Sequence, residues 1–274
     1  MKVLITGGAS GLGLAMAKRW AQAGATVCVA DRNASAQAAT LQAIAEAGGI
    51  GHFIETDVSS DDSVARLKAF TDQTLGGVDL LINSAGVPTA GTVSDESLTA
   101  WQWVLDINLL GSVRLVKAYA ESMRRAGQGY IVNVASQAAL TPTPLMGSYN
   151  ATKAAIVAFS ETLRLELAPF GVGVSVLCPA FVSTALHTAL PKEQHAMQAL
   201  VTKLVEGGSV SAEQVAEQTF QAVQDRQFLI LTHKEGKKAW RIKRWLPNAY
   251  LKMMAKRTRK FSLKGYRDEP SHSA

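Results

Sequence analysis

The sequence predicts a doubly wound α/β fold, a mostly parallel sheet with helices on both faces. Short runs rich in Val and Ile recur along the chain with helical patterns between them, and most are apolar on both faces, as strands inside a parallel sheet are. The first run passes straight into a glycine-rich turn, Thr6-Gly7-Gly8-Ala9-Ser10-Gly11-Leu12-Gly13, that opens a helical pattern. At 274 residues the chain is long enough to bury one such core.

Strands are expected at Lys2–Thr6, Thr26–Asp31, Gly51–Thr56, Val78–Asn83, Tyr130–Ala135, Val172–Cys178 and Phe228–Leu231. Helices are expected near 11–24, 34–48, 61–75, 95–126, 147–169 and 211–225. Asn33, Ser59 or Ser60, and Ser211 with Gln214 three residues on supply helix start signals. Strand–helix alternation with right-handed crossovers gives the doubly wound arrangement. We therefore expect a single domain over 1–232, followed by a distinct segment over 233–274.

Charge separates these two parts. The net charge of +6 conceals a balance of −4 over residues 1–232 and +10 over residues 233–274. Cys28 and Cys178 sit in apolar runs and read as small buried hydrophobes. The five His show no metal-ligand spacing, so no metal is expected. Val3-Leu4-Ile5 is far too short for a signal peptide, and no segment approaches the roughly 20 apolar residues that span a bilayer. These features suit a reducing, cytoplasmic setting.

The glycine-rich turn suits a dinucleotide. Glycines there let the backbone turn sharply and approach a pyrophosphate, whose charge is met by amides at the helix N-terminus. Asp31, at the end of the second strand, can accept hydrogen bonds from an adenosine ribose diol and repel a 2′-phosphate, which points to NAD. Its neighbour Arg32 could instead grip that phosphate, which keeps NADP as the alternative. Further on, Tyr149 and Lys153 stand four apart, on one face of a helix. A cation beside a phenol stabilises the phenolate and lowers its pKa, so such a tyrosine can exchange a proton with a substrate oxygen. The composition supplies about 0.3 such pairs by chance, so the pair needs support from elsewhere in the chain.

That support comes from a resemblance. The spacing Thr6-Gly-x-x-x-Gly11-x-Gly13 resembles that of the short-chain dehydrogenases/reductases, and the likeness runs from about residue 2 to 231. Asp57-Val58 resembles the family's adenine contact. Asn83-Ser84-Ala85-Gly86 resembles its Asn-Asn-Ala-Gly signature, with Ser84 in place of the second Asn. Asn108 matches the Asn of the family's catalytic tetrad, and Ser136 stands thirteen residues before Tyr149, the common family distance. Pro179-Ala180-Phe181-Val182-Ser183-Thr184 resembles the Pro-Gly-x-x-x-Thr segment beside the nicotinamide, with Ala180 replacing the Gly.

The resemblance implies a Rossmann-type domain that exchanges a hydride between a nicotinamide and a secondary alcohol or ketone. It names Asn108, Ser136, Tyr149 and Lys153 as catalytic. Gly7, Ser10, Gly11, Leu12, Gly13, Asp31, Arg32, Asp57, Val58, Asn83, Ala85, Gly86, Tyr149, Lys153, Pro179, Val182 and Thr184 are the expected cofactor contacts. Tyr149 would move the substrate proton, and Lys153 would hold the ribose and lower the Tyr149 pKa. Ser136 would donate to the substrate oxygen, while Asn108 would position a water joining Lys153 to solvent. Family members usually assemble as homodimers or homotetramers, which is expected here through the helices near 95–126 and 147–169.

Two stretches should shape the substrate pocket, 140–146 and a lid at 185–207. The apolar lid residues Leu186, Leu190, Met197, Leu200, Val201 and Leu204 favour a lipophilic alcohol or ketone. The basic segment departs from the compact family pattern. Pro247 should divide it into helices around 236–246 and 248–261, the second with Tyr250, Leu251, Met254 and Phe261 on one face. Cations interleaved with Trp, Leu and Met suit peripheral contact of 236–261 with the inner face of an anionic membrane. Docking on protein and a loose basic tail are the alternatives. No nucleic-acid fold is recognisable, and no specific nucleic-acid partner is expected. Two other functions compete: an NADPH-dependent 3-oxoacyl-type reductase, and a dinucleotide-sensing, membrane-associated binding protein.

Overall fold

The structure, a computed structural model, describes residues 1–182 and 210–267, with side chains described as far as Arg259. Its strands are β1 (Lys2–Thr6), β2 (Thr26–Asp31), β3 (Ile50–Glu55), β4 (Leu80–Asn83), β5 (Gly129–Val134), β6 (Val172–Leu177) and β7 (Leu229–Ile230). Its helices are α1 (Gly11–Gln22), α2 (Gln37–Glu46), α3 (Asp61–Leu75), α4 (Leu98–Leu105), α5 (Gly111–Ala126), α6 (Gln137–Leu140), α7 (Gly147–Leu167), α8 (Ala212–Gln224), α9 (Lys234–Trp245) and α10 (Pro247–Arg267). The strands form one parallel sheet in the order β3-β2-β1-β4-β5-β6-β7.

Alternation along the strands explains the two helical layers. Val3, Ile5, Val27 and Val29 join the cluster that α1 and α8 cover with Met16, Trp20, Val215 and Ala216. Leu4, Cys28 and Ala30 face the opposite way, into a cluster completed from α3, α5 and α7 by Leu67, Leu115 and Leu163. Successive residues of a strand point to opposite faces, so apolar runs without alternation bury both. The α1–α8 contact is closed by Trp20 packing edge-on against Phe220 at 5.4 Å and by an Arg19–Glu217 ion pair.

Several boundaries follow from local chemistry. The Ser60 hydroxyl accepts from the Ser63 amide to start α3, and Gly76 ends it at φ 66°. Ser211 and Gln214 form a reciprocal capping box at the start of α8. Asn33 starts only a short 3-10 turn, Ala34–Ala36, and its side chain makes no capping bond; α2 begins at Gln37. The stretch read as one helix over 95–126 is interrupted. A π-turn at Asp106–Leu110 separates α4 from α5 and turns Asn108 inward, to 1% exposure.

The sheet order reverses direction between β1 and β4, whose neighbouring ends carry the glycine-rich turn and the segment Asn83–Gly86. Ligands of open α/β sheets bind at such a point, outside the carboxyl ends of the strands. Pro247 opens α10 immediately after α9 ends, as the sequence predicts. Tyr250 is buried and Met254 half-buried, as expected of that face, but Leu251 is 57% exposed; the side chain of Phe261 lies outside the described residues. Among the described residues no helix is long and apolar enough to cross a membrane.

Candidate active site

The glycine-rich turn is built so that backbone meets backbone. Gly7, at φ 63°, lies against Ala85, where an added Cβ would come 2.8 Å from the Ala85 Cα. A Cβ on Gly13 would fall 2.1 Å from the Gly7 carbonyl oxygen, so only glycine lets α1 start this close to the turn. Thr6 fastens the second wall, its hydroxyl accepting from the Ser84 and Ala85 amides at 3.2 and 3.3 Å. Ser10 is the exposed N-cap of α1 yet makes no capping bond, and the first helical bond runs from Leu14 N–H to the Ser10 carbonyl. The first-turn amides of Gly11, Leu12 and Gly13 and the Ser10 hydroxyl therefore remain for an anion, which suits a dinucleotide pyrophosphate.

The adenosine side is organised by two carboxylates. Asp31 Oδ2 accepts from the Ala9 amide and Oδ1 from the Asn33 amide, both at 3.0 Å, which fixes the carboxylate at the rim of the turn. Asp57 Oδ1 accepts from the Ser59 hydroxyl at 2.6 Å and the Ser59 amide at 2.8 Å. The Ser59 hydroxyl, opposed by partial burial and helped by the Arg32 and Arg114 charges, holds the Asp57 carboxyl below its usual range. Val58 is buried and packs against Gly111 at the start of α5, where an added Cβ would lie 2.8 Å from Val58 Cγ2.

Asn83 follows a different course from the other expected cofactor contacts. It pairs in register with Asn133 of β5 and donates to Asn133 Oδ1 at 2.8 Å, while Asn133 Nδ2 donates to Ser160 on α7 at 3.0 Å. Its side chain, 2% exposed, thus ties two strands to a helix. Pro179 offers its carbonyl to the Gln137 amide at 2.7 Å, and Val182 is buried in a bridge with Val210. Thr184 and the expected lid at 185–207 lie outside the described residues.

The four residues read as catalytic come together at the carboxyl ends of β4 and β5. Ser136 caps α6, its hydroxyl accepting from the Ala138 amide at 3.1 Å, and it lies near enough to the Tyr149 phenol to act on its pKa. Lys153 Nζ donates to the Val134 carbonyl at 2.9 Å and lies 5.8 Å from the centre of the Tyr149 ring. Asn108 accepts from the Val87 amide at 2.8 Å and donates to the Val87 carbonyl at 2.9 Å. Gly86 is the space between them: a Cβ there would sit 3.2 Å from Asn108 Oδ1 and 3.3 Å from Lys153 Nζ.

Burial dominates the electrostatics. It raises the Tyr149 phenol, with the Ser136 hydroxyl pulling the other way, and it lowers Lys153 to about 8. Cys178 lies close enough to act on both groups, and burial pushes its own thiol up to about 12. Cys28 and Cys178 are both free and buried.

Some contributors escape a reading of the sequence. Glu96, on the loop before α4, is buried and accepts from the Ser148 hydroxyl and, at 3.4 Å, from the Ser148 amide in the first turn of α7. Met146, the N-cap of α7, makes no side-chain capping bond, so Glu96 supplies the cap from a distance. The signal, an acidic residue 52 positions from the helix it caps, is invisible to local pattern. Thr152 accepts from Asn108 Nδ2 at 3.4 Å, completing the polar floor beneath Gly86.

Known proteins agree with this geometry. The short chain dehydrogenase family matches residues 1–195. The chain is 36% identical to the ketoacyl reductase HetN of Nostoc sp. over 181 residues, 66% of this chain and 63% of that protein, so it spans just under two thirds of that relative. It is 33% identical to mouse (Mus musculus) dehydrogenase/reductase SDR family member 7B over 264 residues, 94% of this chain and 81% of that protein. A solved short chain dehydrogenase/reductase from Burkholderia phymatum, in complex with NAD, is similar at TM-score 0.84 and 35% identity, covering 89% of this chain and 92% of that one. With the fold, the glycine cradle and the Ser136–Tyr149–Lys153 cluster, these matches establish that the chain belongs to the short-chain dehydrogenases/reductases, oxidoreductases acting on CH–OH groups.

Proposed function

We propose that this enzyme moves a hydride between NAD(H) and a lipophilic secondary alcohol or ketone, with Tyr149 as the acid–base group. The observation that carries the reading is the meeting of Lys153 and Asn108 across Gly86, with Tyr149 beside Lys153 and within reach of Ser136, next to the cradle at 6–13. When bound, the nicotinamide supplies the hydride acceptor or donor.

The chain's own residues do the rest. Gly7, Ser10, Gly11, Leu12 and Gly13 hold the pyrophosphate, while Asp31, Asp57 and Val58 border the adenosine. Ala85, Gly86, Pro179, Val182 and Thr184 border the nicotinamide half, and the Asn83 side chain serves by bracing β4. In alcohol oxidation the Tyr149 phenolate takes the hydroxyl proton as the carbon gives up its hydride; in ketone reduction the phenol returns that proton to the oxygen. Ser136 donates to the same oxygen while charge develops there. Lys153 hydrogen-bonds the ribose and counters the phenolate. Asn108 and Lys153 face each other across Gly86 and pass the proton outward through water.

NAD is favoured because Asp31 is anchored by two amides at the rim, where its charge repels a 2′-phosphate. The Arg32 charge acts on Asp57, and the likeness to a ketoacyl reductase supports the second reading, NADPH-linked reduction of a 3-oxoacyl group. Comparing kcat/KM with the two cofactors separates them. We expect NAD(H) to be preferred; a strong NADPH preference overturns the role given to Asp31.

A lipophilic substrate is supported by the segment 140–146, which runs between Ser136 and Tyr149, has no charged residue and holds Leu140, Leu145 and Met146 half-buried. A homodimer or homotetramer through α5 and α7 is supported by the exposed Leu165 on α7. Peripheral contact with an anionic membrane in a cytoplasmic setting is supported at the α9–α10 elbow. There Trp245, Leu246 and Leu251 are exposed among Arg241, Arg244 and Lys252.

A further inference from the structure

The C-terminal helices touch the body at one place that matters for chemistry. Ser136 is the N-cap of α6, a helix of only four residues, too short to hold its own shape. At its start, the Gln137 amide is tied to the Pro179 carbonyl at 2.7 Å. At its end, the Leu140 carbonyl accepts from Lys243 Nζ of α9 at 2.6 Å, a lysine capping an orphan helical carbonyl. The next residue, Thr141, lies near the Tyr250 phenol of α10, close enough for its hydroxyl to pull down a pKa that burial raises, and Tyr250 is 2% exposed.

Between these anchors the Gln137 side chain lies against the α9 backbone. Gln137 Nε2 donates to the Gly236 carbonyl at 3.3 Å, and a Cβ on Gly236 would fall 2.3 Å from Gln137 Oε1. A side chain at 236 would displace the Gln137 carboxamide and break its bond to the α9 backbone. Trp240 adds apolar contact in the cluster that holds Leu109, Leu140 and Val157. Burial lowers the pKa of Lys243, which is consistent with an ammonium enclosed by the contact it makes.

We propose that Gly236, Lys243 and Tyr250 are positioning residues for Ser136, so that the basic C-terminal segment forms part of the active site. The inference rests on the proposed role of Ser136 at the substrate oxygen. Loosening Leu140 and Thr141 frees the far end of α6, and the Ser136 hydroxyl moves with the turn that it caps. The cofactor cradle at 6–13 has none of these anchors, so its affinity should not change.

The test uses full-length Lys243→Met, Tyr250→Phe, the double variant and Lys243→Arg. Hydrogen exchange is read at the Ala139 and Thr141 amides, which bond to the Ser136 and Gln137 carbonyls. NADH binding is read by fluorescence, and oxidation is measured with cyclohexanol or another secondary alcohol that the parent turns over. In the double variant, exchange at these two amides should quicken about tenfold while that in α1 stays unchanged, as for loss of one or two hydrogen bonds. The kcat should fall about tenfold with NADH affinity preserved, and Lys243→Arg should restore most of both. Unchanged exchange at 139 and 141 overturns the proposal, as does a kcat that falls only together with NADH binding and global stability. If the parent turns over no alcohol or ketone, the proposed reaction fails, while the exchange measurement still decides whether the C-terminal helices hold α6.

Discussion

Asn108 and Val87 exchange two hydrogen bonds, one in each direction, at 2.8 and 2.9 Å, as paired peptide groups do. The π-turn makes this exchange possible by swinging the Asn108 carboxamide out of helical register toward the loop after β4. Asn108→Ala should leave a buried N–H and C=O without partners and cost about 2–4 kcal/mol. It should also lower kcat, because Asn108 Oδ1 faces the same space over Gly86 as Lys153 Nζ. Urea unfolding and steady-state kinetics check this; a variant as stable and active as the parent contradicts it.

Burial of Lys153 has a measurable pH signature. Its folded pKa of about 8 lies below the ordinary 10.5, so the charged lysine opposes folding in full below pH 8. Between about 8 and 10.5 the unfolded chain holds more protons than the folded one, and stability rises with pH. The full difference corresponds to about 3 kcal/mol. Raised Cys28, Cys178 and Tyr149 values act in the opposite sense at higher pH. The comparison is therefore parent against Lys153→Met, without cofactor. The parent should gain on the variant as pH climbs from about 8 toward 10; parallel curves contradict the account.

Membrane contact at the α9–α10 elbow predicts salt-sensitive binding. The full-length protein should float with phosphatidylserine-containing vesicles, stay behind with phosphatidylcholine alone, and release at high salt. Replacing Trp245 and Leu246 by Ser should weaken flotation by about tenfold or more without altering thermal stability, since both side chains are exposed. A parent protein that never floats removes the membrane from the account.

Much of this architecture is legible in the sequence because the signals are local. Both bounds of α3, the capping box at Ser211 and the break at Pro247 each depend on a few adjacent residues. The division of 95–126 is not local: it is tied to the partnership of Asn108 with Val87, 21 residues away. Register hides the Asn83 pairing in the same way, since a strand read alone does not reveal that Asn133 lies opposite. The candidate tetrad is legible from order and spacing, but the electrostatics are not. Spacing brings Lys153 beside Tyr149, but the burial that raises the phenol is a property of the whole fold. The segment 233–274 shows its charge in the sequence, yet its grip on α6 depends on tertiary contacts at Gly236, Lys243 and Tyr250.

Tyr149 bears the central claim. The decisive measurement is the kcat of Tyr149→Phe against the parent, for NAD-linked oxidation of a lipophilic secondary alcohol followed by nicotinamide absorbance, with NADH binding measured alongside. Phenylalanine keeps the ring and removes only the hydroxyl, so kcat should fall by about 10²–10⁴-fold with NADH affinity nearly unchanged. Turnover within a few fold of the parent would contradict the assignment of Tyr149 as the group that moves the proton.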